Sequence, residues 1–294
     1  MAPATRPTTR PAAAPQRPPP APRRHGSATA ASTLLALLAL SGLLTGCAAP
    51  PVDTRHAALA QDSRVLFVVL HFTGEPLAES LNILTRQQVS AHYLVSDETP
   101  PIVYRLVEEE RRAWHAGDSA WQGHAMLNAS SIGIEIVNPG PLTLADGSRG
   151  FAPYPPAQID ALIALLQGIA ARHAIAAGRI LGHSDIAPQR KIDPGPAFPW
   201  RRLAEARLMR WPDAAQVALL QAHYQAAPPD PAWFQQALAR IGYAVPGHGE
   251  LDPATRRVIA AFQMKYRPAR HDGTPDAETA ALLQVLGQPA PAGG

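Results

Sequence analysis

Val65-Leu66-Phe67-Val68-Val69-Leu70 is an unbroken apolar run, and His71 follows it directly. A strand with one face in water would alternate apolar and polar residues. Six apolar side chains in succession, three of them β-branched, fit a strand buried on both faces, as in a sheet covered by helices. His71 then stands at the C-terminal end of that strand, where open α/β sheets place their ligands. Working outward, Glu79 to Gln88 reads as a helix. Ala91 to Val95 and Ile102 to Leu106 read as short strands, separated by the turn residues Ser96 to Pro101. Ser131 to Val137 is another strand and carries Glu135. Pro155 and Pro156 precede a helix from Ala157 to Ala177, in which Ile159, Leu162, Ile163, Leu166 and Ile169 recur at helical spacing before Gly178 stops it. Arg179 to Leu181 returns as a strand into Gly182-His183. This alternation predicts an α/β fold, a mixed central sheet flanked by helices, over residues 63–212. Beyond the Pro-rich hinge Ala226 to Pro231, helical patterns at Trp233 to Ile241, Pro253 to Tyr266 and Asp276 to Leu286 predict a small three-helix bundle, within a second domain spanning residues 213–294. No internal repeat is evident between these parts.

The 294 residues suffice for one sizeable domain and a small one, and 46% hydrophobic content permits ordinary cores. The formal charge of +3 is misleading, because Arg6, Arg10, Arg17, Arg23 and Arg24 precede residue 47 in a stretch without acidic residues. The remainder is slightly acidic, so the charge gives no support to nucleic-acid binding. A Gly-rich phosphate loop and a basic stripe interleaved with aromatics are also missing. Residues 1 to 30, rich in Pro, Ala and Arg, cannot bury enough surface to offset chain entropy and are expected to be disordered. Ala31 to Leu44 is apolar but too short to span a bilayer comfortably, which fits a signal-peptide core. It runs into Leu44-Thr45-Gly46-Cys47, which resembles the lipobox of bacterial lipoproteins. Residues 1–46 are therefore expected to be a disordered N-terminus with a lipoprotein signal peptide, Cys47 the lipidation site, and residues 47–62 a linker. A buried helix with an incidental thiol is the alternative. Cys47 is the single cysteine, so no internal disulfide can form. The expected location is the cell envelope, with a membrane partner through the lipid anchor. Ala48 after the cysteine favours the outer membrane, facing the periplasm.

Catalytic zinc takes three protein ligands of the His and carboxylate kind and keeps one position for water. His71, His183 and Asp193 satisfy that count, yet with eleven histidines in the chain spacing alone leaves chance pairing open. His183-Ser184-Asp185 is no Ser-His-Asp triad, because triad members act through space and neighbours at one strand exit cannot face one another suitably.

Ordered blocks carry a further signal. They are Val68 to Thr73, Ser90-Ala91-His92-Tyr93-Leu94-Val95, Ala113-Trp114-His115-Ala116-Gly117, Ser131 to Asn138, Gly182-His183-Ser184-Asp185-Ile186-Ala187-Pro188, and Arg190-Lys191-Ile192-Asp193-Pro194-Gly195-Pro196 running on to Phe198-Pro199-Trp200. In this order they resemble the type 2 N-acetylmuramoyl-L-alanine amidase family, with its peptidoglycan-recognition-like fold. The resemblance implies zinc on His71, His183 and Asp193, Glu135 as the proton acceptor, and Lys191 as the charge that stabilises the oxyanion. It implies that His115, beside Trp114 on the substrate-binding surface, contacts the substrate or stabilises the intermediate, with packing as the alternative for His115. Trp121 would extend that surface by stacking on sugar, with packing as the equal alternative. His92 and Tyr93 are expected to be structural. The implied substrate is peptidoglycan or muropeptides, cut between the lactyl group of N-acetylmuramic acid, or its anhydro form, and L-alanine. A non-catalytic peptidoglycan-binding protein and a zinc hydrolase of another envelope substrate are the competing readings, and a monomer is the default state.

Phe234-Gln235-Gln236-Ala237-Leu238, Ile241-Gly242-Tyr243, Asp252-Pro253-Ala254-Thr255 and Ala260-Ala261-Phe262-Gln263 are similar to the peptidoglycan-binding type 1 fold. The sequence departs from that pattern at Gly247-His248-Gly249-Glu250-Leu251, where an Asp-Gly approach is usual. The bundle could instead serve only to stabilise its neighbour.

Overall fold

The computed structural model describes residues 52–288, so the signal segment and Cys47 lie outside the described residues. Residues up to Ala60 form a unit of their own, whose described part has neither helix nor strand, and the chain from Gln61 onward forms a second unit. Among the described residues no helix is long and apolar enough to cross a membrane.

The apolar run becomes β1 (Phe67–Phe72), and its alternate side chains feed two different cores. Val68 and Leu70 pack with Ile132, Ile134, Leu162, Leu166 and Ile169. Phe67 and Val69 turn to the other face, toward Leu127, Leu181 and Ile186, in a cluster that continues into Phe234, Leu238 and Phe262. All four strand residues are at most 1% exposed, and each such burial contributes roughly 1.5–3 kcal/mol. That is why the run has no polar alternation.

After β1 come α1 (Leu77–Arg86), β2 (Tyr93–Val95), β3 (Val103–Arg105), a small hairpin β4 (Ala120–Trp121) and β5 (His124–Ala125), and β6 (Ser131–Ile136). A second hairpin, β7 (Pro141–Thr143) and β8 (Arg149–Phe151), leads to α2 (Pro156–His173) and β9 (Ile180–Gly182). The main sheet has the order β3-β2-β6-β1-β9, with β3 antiparallel to β2 and the other pairs parallel. This is the expected mixed sheet. The α2 helix stops at His173, earlier than the sequence suggests, because Ala174 adopts the left-handed cap conformation at φ 52° and its N–H bonds back to Ala170 O.

The remaining helices are α3 (His183–Ile186), α4 (Trp200–Glu205), α5 (Ala214–Ala226), α6 (Pro231–Ile241), α7 (Pro253–Tyr266) and α8 (Ala277–Leu286). Asp213, Asp230, Asp252 and Asp276 cap α5 to α8, each carboxylate accepting the backbone N–H three residues on at 2.7–2.9 Å. The three predicted helices are α6 to α8. To these the structure adds α5, which runs along α8 and buries none of its own residues fully.

A repeat that the sequence spacing hides is present within the bundle. Gln235 donates to Glu250 O and Thr255 Oγ1, both at 2.9 Å, and accepts from Gly249 N–H at 2.8 Å. Gln263 makes the same circuit with Thr274 O, Thr279 Oγ1 and Gly273 N–H. Gly249 and Gly273 both sit at positive φ, +83° and +74°, where a side chain would be strained. The departing segment 247–251 therefore keeps the geometry of its twin.

Candidate active site

Strand register assembles the site. His71 of β1 pairs directly with Glu135 of β6, and Leu70 pairs with Gly182 of β9, which places His183 beside His71 one residue later. All three lie at the C-terminal ends of parallel strands, where helices and loops leave an open crevice. Asp193 reaches the same point on the loop after α3, held there by a hydrogen bond from Ser184 N–H to Asp193 O at 2.9 Å. His71 Nδ1 and His183 Nδ1 are 2.9 Å apart, and each is 3.0 Å from Asp193 Oδ2. The three residues are buried, at 2%, 3% and 6% exposure.

Hydrogen-bond accounting assigns the protons. Ser131 O–H has one hydrogen and gives it to the Leu127 carbonyl at 2.6 Å, so its oxygen must accept from His115 Nε2–H at 3.2 Å. His115 Nδ1 is then an acceptor and takes His71 Nε2–H at 3.1 Å. His183 Nε2–H donates to Ala116 O at 3.1 Å. Burial, foremost, together with neighbouring His183, pushes His71 down to about 4, and burial likewise holds His115 well below the usual histidine range, so both rings are neutral near pH 7. Two bare Nδ1 lone pairs and a carboxylate oxygen thus face one another at contact distance. Three electron-pair donors without a proton among them fit a divalent cation, and the donor set of two imidazoles and one carboxylate suits zinc.

Beside this cluster lies a cavity of about 270 Å³, lined by Glu135, Lys191, Trp114 and His115 among others, with an apolar wall from Ile83, Leu84 and Val89. Glu135 Oε2 is buried without a hydrogen-bond partner. Burial first, and the charge of Asp193 second, raise the Glu135 carboxyl well above the ordinary range, while Lys191 opposes them. Trp114 is 55% exposed at the cavity rim. His115, partly exposed on the cavity wall, has both ring nitrogens bonded, to His71 and to Ser131. Its ring rests on β6 at Gly133, where any Cβ would come within 2.3 Å of His115 Cγ. Trp121 is elsewhere. It is 4% exposed, packed edge-on against Tyr243 at 4.8 Å, and shares no wall with this cavity, so the packing alternative describes it and sugar stacking does not. His92 accepts from Gly133 N–H and donates to Arg111 O, and Tyr93 O–H donates to Glu109 at 2.6 Å, both structural contacts.

Several supporting residues escaped the sequence reading. Asn128 Oδ1 accepts from His115 N–H and Ala116 N–H, which fixes the loop that carries the Ala116 carbonyl. Arg190 donates to that same carbonyl and to Asp118 O. Behind α3, Asp185 accepts from Gly182 N–H at 2.8 Å, from Tyr243 O–H at 2.6 Å and from Lys265 Nζ at 2.7 Å, so the metal-cluster segment is bonded to α7 and to the turn after α6.

Comparison with known proteins agrees with this geometry. Residues 61–196 match the family model described as N-acetylmuramoyl-L-alanine amidase, and residues 227–283 that of a peptidoglycan binding domain. The chain is 44% identical over 266 residues to the N-acetylmuramoyl-L-alanine amidase AmiD of Escherichia coli strain K12, covering 85% of this chain and 95% of that protein. The solved complex of E. coli AmiD with anhydro-N-acetylmuramic acid-L-Ala-D-gamma-Glu-L-Lys superposes with a TM-score of 0.72, covering 80% of this chain and 93% of that one. AmpDh3 from Pseudomonas aeruginosa, solved with anhydromuramic pentapeptide, is 37% identical with a TM-score of 0.74, over 81% of this chain and 97% of that one. The buried two-histidine, one-aspartate cluster, the sheet that carries it and similarities over 80–85% of the chain have one explanation: the chain belongs to the N-acetylmuramoyl-L-alanine amidase family.

Proposed function

We propose that the protein is a zinc-dependent N-acetylmuramoyl-L-alanine amidase, which hydrolyses the amide between the lactyl group of N-acetylmuramic acid, or its anhydro form, and L-alanine, releasing stem peptides. The observation that carries this reading is the proton-free facing of His71, His183 and Asp193 beside an unpartnered Glu135 in one cavity. His71 Nδ1, His183 Nδ1 and Asp193 Oδ2 would hold the ion. Zinc supplies Lewis acidity there, enough in comparable sites to bring the pKa of a water to about 7.

The chain's own groups do the rest. Glu135 Oε2, desolvated and raised in pKa, takes the proton of the attacking water and passes it to the departing alanine nitrogen. Lys191 faces the negative charge that develops on the attacked carbonyl oxygen. The Ile83, Leu84 and Val89 wall accepts the methyl groups of the lactyl and alanyl units, and Trp114 at the rim borders the sugar. His115 acts by orienting His71.

The same reading places the protein in the cell envelope as a monomeric lipoprotein of the outer membrane, anchored through Cys47, with a catalytic domain at residues 63–212 and a wall-binding helical domain at 213–294. The test is incubation of the purified protein with peptidoglycan and with anhydro-muropeptides, with and without a chelator, and product identification by mass spectrometry. Free stem peptides are expected to vanish on chelation and return with zinc. Glu135→Gln should still bind zinc and lose about 10²–10⁴-fold in rate. Zinc-loaded protein that releases no peptide from either substrate would refute the reading.

A further inference from the structure

A second cavity, about 440 Å³, opens between the amidase-matched segment and the helices that follow it. Its wall includes Arg179, immediately before β9, whereas His183 immediately follows that strand. Four residues of extended chain, about 13 Å, therefore separate this cavity from the metal cluster. The lining contains no carboxylate. Arg179, Arg210 and Arg240 meet there from three parts of the chain: the turn before β9, the segment after α4, and the last turn of α6. Among the described residues none of the three forms an ion pair, and Lys265, also on the wall, is already neutralised by Asp185.

Their donors are largely unspent. Arg210 gives one N–H to Gln288 O at 3.0 Å, and Arg179 lies over the Phe67 ring at 5.7 Å. A guanidinium carries five N–H groups in a planar fork matched to a carboxylate. Trp121 borders this cavity as packed wall: it is 4% exposed and its Nε1–H is sealed inside the protein. Three like charges around one cleft repel each other, and no carboxylate stands in the lining to pair them. A ligand that brings carboxylates answers that arrangement.

We propose that this cavity is a second binding site, for a carboxylate-bearing ligand. On the amidase reading above, which this identification rests on, that ligand is a stem peptide of peptidoglycan through its free carboxylates. The arginine forks take the carboxylates, and the rings of Trp121, Tyr243 and Tyr266 give the floor. Because both matched segments contribute walls, the occupant ties them together.

The indole N–H resonances of the five tryptophans in a ¹⁵N–¹H spectrum of the zinc-loaded full-length protein test this directly, with Trp121→Phe identifying the relevant one. The probes are the tripeptide L-Ala-γ-D-Glu-L-Lys, its carboxyl-amidated form, and inorganic phosphate. The tripeptide should move the Trp121 resonance saturably and the amidated form should not. In Arg179→Gln/Arg240→Gln the affinity should fall at least tenfold while the other four indole resonances stay in place. An unmoved Trp121 resonance, or equal affinity in the double variant, overturns the site. A response to phosphate with an inert tripeptide overturns the carboxylate assignment. Amidase activity on the same samples separates the two readings: a Trp121 response without hydrolysis sinks the amidase reading alone, and hydrolysis without a response sinks the second site alone.

Discussion

Lys265→Met removes one charge from a fully enclosed pair and keeps most of the side-chain volume. In the native protein Lys265 Nζ lies 2.7 Å from Asp185 Oδ2, 3.2 Å from Ile180 O and 4.2 Å from the centre of the Trp200 ring. Asp185 is 1% exposed. Removing one partner of a buried pair costs about 3–5 kcal/mol, chiefly because the survivor stays charged and desolvated. Loss of the cation over Trp200 adds about 1 kcal/mol, which methionine packing on the same ring partly offsets. The bonds that Asp185 keeps from Gly182 N–H and Tyr243 O–H temper the total, so about 4 kcal/mol is expected. At roughly 2–4 °C per kcal/mol for a chain of this size, Tm should fall by about 8–16 °C. The assay is urea and thermal unfolding followed by far-ultraviolet circular dichroism. Lys265→Met/Asp185→Asn, which removes the stranded charge as well, should recover at least half of the loss. A single variant within about 1 kcal/mol of the parent, or a double variant whose losses simply add, would refute the burial argument.

Three further outcomes follow from the site and its surroundings. His115→Phe breaks the chain from Leu127 O through Ser131 to His71, so zinc affinity, measured by competition with a chelator, should weaken about 10–100-fold; unchanged affinity would show that His71 needs no such support. Gly133→Ala puts a methyl group within 2.3 Å of the His115 ring and should lower stability by about 1–3 kcal/mol and zinc affinity in the same direction, whereas a neutral effect on both would mean that the ring is free to move. Burial pushes the Glu109 carboxyl up, but bonds from Arg172, Tyr93 and His173 outweigh it and hold it down at about 2, below the ordinary 4.5. Its contribution is therefore complete above about pH 4.5 and disappears as pH falls toward 2, amounting to about 2 kcal/mol once the half-exposed Arg172 is allowed for. The stability gap between the parent and Glu109→Gln should close over that interval, and a constant gap would count against it.

The parts of the fold visible in the sequence are those written in consecutive residues. The run from Val65 to Leu70 has no polar member because each face of β1 meets a core, and that property survives without coordinates. His71 and His183 could be placed at strand ends, and Glu135 within a strand, for the same reason. What holds them is written in no local pattern: the Leu127 and Ala116 carbonyls are backbone atoms, and Ser131 matters only through the direction in which its one hydrogen points. Trp121 could not be assigned from its chemistry, since an indole serves a sugar platform or a packing surface equally well, and only the docking of Tyr243 decides. The α5 helix buries no residue fully, so it lacks the apolar stripe that betrays α6 and α7. The repeated Gln-Gly-Asp-Thr circuit is masked by loops of different length between Gln235 and Gly249 and between Gln263 and Gly273.

The Lys265 and Asp185 pair also bears on how separate molecules meet. Among the described residues β9 is the last strand of the sheet, with β1 on one side and no strand on the other. A strand in that position offers unpaired N–H and C=O groups to any passing extended chain. Here Lys265 Nζ occupies the Ile180 carbonyl and the Asp185 carboxylate occupies the Gly182 N–H, so one outward acceptor and one outward donor of β9 are taken before another molecule can reach them. The helical bundle thus works as an edge guard supplied in cis. A chain clipped in the hinge before α6 would lose that lysine and expose a short, apolar, unpaired strand, so the expected fate of such a fragment is self-association before any loss of chemistry at the metal cluster.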